Sequence, residues 1–467
     1  RVWAPGQRRQ TMLRISPAQA PDDLVEELEM GPGRVIGAVH RDGKLYLGQY
    51  VPGENRAASV IRTWMFDASA PPELTMLGHT DAPLTDKVSR LNLDSATAVW
   101  ADKDTLVWHI PAYAYFFHGF GPFDLPVLAN PTGVMAANSS VAPSVSAGPI
   151  GTGSSAAALR SGSGLILRRS VSDTPLPPAA PEPLSASAAA SSLAISPGIS
   201  LWRGGSSDLA CVMVPVAVED PQAPFALPVI PVRGPANHAV RSSVGRPFGA
   251  AGLVYVSYQE DGPGRVRAWL QVIDFRGDGS PVVRDRVSLP GELVALGDAD
   301  ERGAVLLTLD DNGKSILACA YDGVSAYRLA VWTSPERGLL CTAGDGARVF
   351  IAPAWGRSQL TSLGFDVAKN RFRTSGTLPL THPISELAYS EGWVLAGSYG
   401  HVSAVLTAPS GTMSPPRSLQ TPGSFWLRIE RASGLRNRGV CFPAGAYGVE
   451  WITLPATHPN GSNGNNR

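Results

Sequence analysis

From Arg265 to Leu380 apolar and polar residues alternate in short runs, and the runs return at a nearly fixed interval. Gln271-Val-Ile-Asp-Phe275, Ala318-Cys-Ala-Tyr-Asp322 and Thr361-Ser-Leu-Gly-Phe-Asp366 each end an alternating run on an aromatic beside an aspartate. Phe275 and Tyr321 are 46 residues apart, and Tyr321 and Phe365 are 44 apart. A period of two predicts strands. After each run a turn-rich gap leads to another short strand, at 282–289, 326–332 and 371–378. A repeat of about 45 residues made only of short strands predicts a β-propeller. The expectation is an all-β chain of about seven four-stranded blades with a long low-complexity insertion.

The same pattern predicts a blade over 33–78, with Asp42-Gly43 as a tight hairpin turn. A second begins near Leu91 and runs through Leu106–Ile110; Leu209–Val218 and Phe225–Val232 read as a separate, proline-rich blade. The regular series then resumes near residue 250 and ends with Phe425–Ile429, Val440–Phe442 and Val449–Leu454. Met12–Ile15 and Val449–Leu454 are the candidates for strands that close the ring, because closure removes an exposed edge. Residues 131–200 are dominated by Ala, Ser, Gly and Pro, with Gly164–Arg169 a lone strand among them. Such a composition buries too little apolar area to offset its ordering entropy, so it reads as an insertion. The resulting division is an arm at 1–32, first blades at 33–130, the insertion at 131–200, further blades at 201–456 and a disordered tail at 457–467.

Charge changes the picture by exclusion. The formal net charge is zero and 17% of the 467 residues are charged, so no strong field draws nucleic acid or an anionic membrane. No apolar run reaches the length of a membrane span. The chain starts at Arg1, which reads as a processed product, a fragment or part of something longer. Location stays open on these grounds, with an extracytoplasmic or secreted setting favoured. Five lysines stand against 34 arginines, which fits either a G+C-rich genome or arginine used at buried contacts. Cys211 and Cys319 sit in apolar strand contexts that suit buried thiols, while a Cys319–Cys341 bridge stays open.

Candidate chemistry is sparse. The sequence lacks phosphate-loop, zinc-protease, paired-cysteine and nucleophile-elbow motifs. Eight dispersed histidines show no metal-ligand spacing, though a propeller's centre could gather them. No cofactor is expected. Asp298-Ala-Asp-Glu301 and Asp310-Asp-Asn-Gly313 carry enough oxygens for calcium, but the second also suits a hairpin turn. Asn138 and Asn460 begin glycosylation-type triplets. Trp64, Trp108, Trp269, Trp332 and Trp393 fall on predicted strands, where packing between blades accounts for them. The stretch 113–123 differs, for its aromatics are broken by glycine. Tyr113, Tyr115, Phe116, Phe117, Phe120 and Phe123 are therefore either an irregular core strand or a contact surface.

Phe66-Asp-Ala-Ser-Ala-Pro-Pro-Glu-Leu74 resembles the aspartate–x–serine–x–proline step of bacterial secreted β-propeller repeats of the LVIVD-like group. The repeats from 250 to 410 are similar in rhythm but not in those letters, and the tryptophan–aspartate ends of WD40 blades are absent. The resemblance implies an interaction scaffold and carries over no catalytic residue. The leading expectation is thus a non-enzymatic propeller that docks protein partners in a homo- or hetero-oligomeric assembly. A structural shell or decoration subunit is one alternative. A ligand-binding or hydrolytic propeller with its site at the central channel is the other.

Overall fold

A computed structural model describes, apart from short gaps, residues 10–15, 25–112, 157–168, 208–420 and the strands within 433–453. Among them there is no α-helix, only strands, turns and brief 3-10 turns, and no helix is long and apolar enough to cross a membrane. The chain divides into one unit of residues 1–115 with 206–467 and another of 116–205.

The first unit is a succession of antiparallel sheets, each a meander of neighbouring strands. The first sheet holds Arg34–Arg41, Lys44–Val51, Val60–Asp67 and Thr75–Pro83. The second holds Thr97–Trp100, Thr105–Pro111 and Leu209–Ala217, with Phe225–Ala226 and Ile230–Arg233 on its outer side. In the third, Val240–Arg241 and Phe248–Ala250 flank Leu253–Gly262, which pairs with Arg265–Asp274. Val282–Val283 and Val287–Leu289 complete it. The fourth is Gly291–Ala299, Ala304–Asp310, Ser315–Tyr321 and Ala326–Thr333. The fifth is Leu340–Asp345, Arg348–Pro353, Gln359–Asp366 and Arg371–Pro379. The sixth is Glu386–Ser390, Trp393–Ser398, His401–Leu406 and Arg417–Gln420. A seventh shows three strands, Ser433–Leu435, Gly439–Pro443 and Val449–Thr453.

Alternation along each strand explains how the sheets stack. Leu306 of the fourth sheet packs with Tyr255 and Leu270 of the third, whereas Val305 and Leu307 pack with Val349 and Ile351 of the fifth. Equivalent layers join the first to the second, the second to the third and the fifth to the sixth. Sheets buried on both faces need nearly continuous apolar runs, which is what Ala304-Val-Leu-Leu307 supplies. First strands of successive sheets touch one another, and so do several outermost strands. This is the fanned, β-propeller-like arrangement that the repeat predicted.

Local chemistry fixes the turns. Asp67 accepts a hydrogen bond from Ser69 N (2.9 Å), Asp274 from Arg276 N (3.0 Å), Asp322 from Val324 N (3.0 Å) and Asp366 from Lys369 N (3.1 Å). Each aspartate thus caps the turn from third to fourth strand, as short carboxylates do in Asx turns. The aromatic beside it, Phe66, Tyr321 or Phe365, goes into the layer between sheets. Between first and second strands, Asp42-Gly43 (φ 51° and 73°) and Glu391-Gly392 (φ 47° and 86°) make the left-handed two-residue turns that suit strand twist.

Several sequence expectations change. Leu209–Ala217 pairs with Thr105–Pro111, so 209–232 is not a separate blade but the outer half of the second sheet. The insertion therefore falls between two paired strands of one sheet. Gly164–Arg168 is not a lone strand, since it forms a hairpin with Ala157–Ser161. The start of the third sheet, at 240–250, lies ahead of where the pattern placed the resumed series. At the N-terminus Gln10–Ile15 pairs with Glu26–Pro32, and Leu13, Leu28 and Met30 pack on Leu47, Trp64 and Phe66 of the first sheet. The aromatic stretch 113–123, the rest of 131–200, Phe425–Ile429 and the tail lie outside the described residues.

Candidate functional site

The first strands of the sheets form the inner edge of the fan, and their ladders run unbroken or with one-residue shifts, as in the first and fourth sheets. That of the third sheet is interrupted over a longer stretch. Arg241 pairs with Gln259 and Phe248 with Tyr255, so six residues on one strand face three on the other. A surplus of this kind takes backbone out of the ladder, as bulges beside functional sites do. Gly245, Arg246 and Pro247 belong to this surplus. Gly245 is buried against the fourth sheet: a Cβ there would meet Glu292 Oε1 and Ser257 Oγ at 3.0 Å each. Ser257, paired with Leu270 on one side and with no partner on the interrupted side, turns its hydroxyl to accept from Leu293 N at 3.1 Å.

Arg246 turns the other way. Its Nη1 donates to Tyr389 O of the sixth sheet at 2.9 Å, spanning from third to sixth sheet. The side chain is open to solvent, yet the surrounding protein lowers its pKa. Tyr389 stacks on Phe350 (5.8 Å, 12°), and its hydroxyl accepts from Gly392 N at 3.1 Å. Burial, helped by Asp345, pushes its phenol up.

Glu292 is the second residue of the fourth sheet's first strand, part-buried and opposite Leu309. Burial pushes its carboxyl from 4.5 up to about 7. Among the described residues it has neither a hydrogen bond nor an ion-pair partner. Desolvation without a compensating charge is what raises a carboxyl in this way.

Other chemistry-bearing groups are otherwise engaged. Cys341, on the fifth sheet's first strand, donates its thiol to Ser385 O (3.1 Å), and burial followed by nearby Glu386 pushes it up to about 12. Cys211, Cys319 and Cys341 are all free thiols. His109 lies within the second sheet, pushed down to about 3 by burial, while His382 and His401 stack at 5.4 Å in the sixth. Among the described residues the histidines thus do not gather at the inner edge. No group of three His, Cys, Asp or Glu among the described residues is placed to hold a metal. Asp310 Oδ1 accepts from Lys314 N (2.7 Å) and Ser315 N (2.9 Å), and Asp300 Oδ1 from Arg302 N (2.8 Å), so both acidic stretches serve turns. Trp108 and Trp393 are fully buried and Trp64 nearly so, while Trp269 and Trp332 edge the layers between sheets. The predicted contact residues Tyr113, Tyr115, Phe116, Phe117, Phe120 and Phe123 are outside the described residues. Arg246 and Glu292 escaped the sequence reading. Their one signal is Gly245-Arg-Pro247, an arginine held between two ladder-breaking residues.

The fold and this inner edge place the chain in the class of β-propeller-like proteins. No family model matches it, and no curated protein does. Among solved structures it is similar to the periplasmic gluconolactonase PpgL of Pseudomonas aeruginosa, at 12% identity over 92% of this chain and 91% of that one, TM-score 0.39. Sqt1 of Chaetomium thermophilum is similar at 12% identity over 88% and 79%, TM-score 0.41. A Bacteroides fragilis protein with a provisional 6-phosphogluconolactonase assignment follows at 9% over 91% and 98%, TM-score 0.38. The expectation of a non-enzymatic interaction scaffold is corrected here. Two of these three proteins bear lactonase names, and Arg246 and Glu292 lie at the inner edge. Likenesses this distant carry no activity over to this chain.

Proposed function

We propose that the chain is a hydrolytic β-propeller whose site lies at the centre of the fan, with Glu292 as the group that moves protons. The observation that supports this reading is an enclosed carboxyl on an inner strand, free of cation and donor among the described residues, beside the break in the third sheet's ladder. A carboxyl poised near neutrality is present in both forms at working pH, which is what general acid–base catalysis needs. As carboxylate, Glu292 takes a proton from water while the water oxygen bonds to the carbonyl carbon of an ester or lactone. As acid, it returns that proton to the departing alkoxide. One water is consumed, one C–O bond breaks, and an acid and a hydroxyl are formed.

The test is acid release in a pH-stat, with gluconolactone and simple aliphatic esters as probes. Gluconolactone enters because the Pseudomonas protein bears that name. Wild type is expected to release acid above the spontaneous rate, with an acid limb near pH 7. Glu292→Gln is expected to lose about 100-fold or more of that rate, within the usual share of one acid–base group. Equal rates in wild type and Glu292→Gln would sink the proposal.

A further inference from the structure

Several arginines of the sheets are held by carboxylates. Arg62 is held by Asp81 (2.6 Å), Arg276 and Arg284 by Asp274 (2.7 Å each), Arg286 by Glu260 (3.4 Å), and Arg34 by Asp94. Arg246 differs from these. Its hydrogen bond among the described residues is to a neutral carbonyl, and it makes no ion pair among them. A guanidinium carries five N–H donors in a rigid fork, so one carbonyl leaves most of them free for a ligand.

The natural partner stands close by and is not used. Gly245, the residue before Arg246, lies against Glu292 Oε1. Yet the arginine side chain runs to the sixth sheet and leaves Glu292 behind. Arg246 and Glu292 thus stand near one break in the ladder without pairing with each other. They are complementary to a molecule that presents an anion at one end and a proton-accepting or proton-donating group at the other.

Resting on the reading of this inner edge as the site, we propose that Arg246 anchors the carboxylate of a small acid monoester or acid lactone whose ester end lies toward Glu292. The planar fork matches the two oxygens of a carboxylate. A phosphate dianion asks for several cations or a run of backbone donors at a helix N-terminus, and the described residues contain no α-helix.

The test uses the full chain, monomethyl succinate as probe, dimethyl succinate as the same molecule without a carboxylate, and inorganic phosphate as the competing anion. Binding is followed by calorimetry in wild type, Arg246→Gln, Arg246→Lys and Glu292→Gln. Monomethyl succinate is expected to bind wild type and to weaken at least about tenfold in Arg246→Gln, the scale of a lost charge-assisted hydrogen bond. Arg246→Lys should fall between them, since charge remains but the fork is lost. Dimethyl succinate should bind both Arg246 variants as it binds wild type. Monomethyl succinate binding unchanged in Arg246→Gln would overturn the proposal, as would its absence in wild type or equal competition by phosphate. If both esters ignore Arg246→Gln but respond to Glu292→Gln, the anchor is wrong and the site stands. If neither variant alters either ester, both readings fall.

Discussion

The third and fifth sheets are built to one plan and differ in their first strands. In the fifth, Leu340–Asp345 pairs residue for residue with Arg348–Pro353, and Gly344 lets it lie against Val294 O of the fourth sheet. In the third, the ladder breaks between Arg241 and Phe248, and the surplus carries Arg246 across to Tyr389. An unbroken inner strand spends its polar backbone on its neighbour and its side chains on packing. A broken one frees a side chain for something else. The contrast separates residues that hold the fan from residues that act within it.

Five substitutions break or sharpen that contrast. Phe350 is fully buried in the fifth sheet and stacked on Tyr389. Phe350→Ala should cost about 3–5 kcal/mol of stability in chemical denaturation, the range for a truncated core aromatic. A loss under about 1 kcal/mol would mean that the fifth sheet is not core in the sense argued.

Glu292→Gln comes next, and its effect depends on pH. The folded-state pKa is raised, so the neutral form is the one the fold prefers. Below pH 4.5 the residue is neutral in both states and no penalty exists. The penalty grows as pH rises through the folded pKa of about 7 and then levels off. Removing the charge should therefore stabilise the protein by on the order of 3 kcal/mol at pH 8 and change little at pH 4. Melting curves at the two pH values give the sign directly, and equal shifts would contradict the burial argument.

Gly344→Ala sets a methyl group against Val294 O and Ala295, where backbone must move. A cost of about 1–3 kcal/mol is expected, the usual scale of overpacking. Gly245→Ala, whose methyl group would meet a carboxylate and a hydroxyl at 3.0 Å and Leu293 O at 3.2 Å, should cost less and instead perturb the inner-edge chemistry; thermal melting of the two side by side makes the comparison. Arg246→Gln should be smallest for stability, within about 0.5 kcal/mol of wild type, because its side chain is solvent-open and held by one hydrogen bond to a carbonyl. A large loss of melting temperature there would recast Arg246 as a strut.

What could be read from sequence follows the same divide. The aromatic–aspartate step was legible because it does a local job: the aspartate caps a turn a few residues away, and its neighbour fills a layer. Asp42-Gly43 was legible for the same reason. The pairing of Leu209–Ala217 with Thr105–Pro111 was not, since no local pattern encodes a partner so far along the chain. Arg246 and Glu292 were invisible for a further reason. Each looks like an ordinary surface charge until the topology sets the third, fourth and sixth sheets around them.

The split second sheet has a consequence for how the chain folds during synthesis. Thr105–Pro111 is made well before Leu209–Ala217, the strand it must pair with. At roughly 5–20 residues per second, the intervening stretch takes about 5–20 s to emerge. For that interval a largely apolar strand waits with one edge unpaired. Closing so long a loop costs only about 2–3 kcal/mol more than closing a tight hairpin, because the entropy grows logarithmically. The finished sheet tolerates the interruption easily, and the hazard is one of time: a nascent chain carrying a sticky edge long before its mate exists.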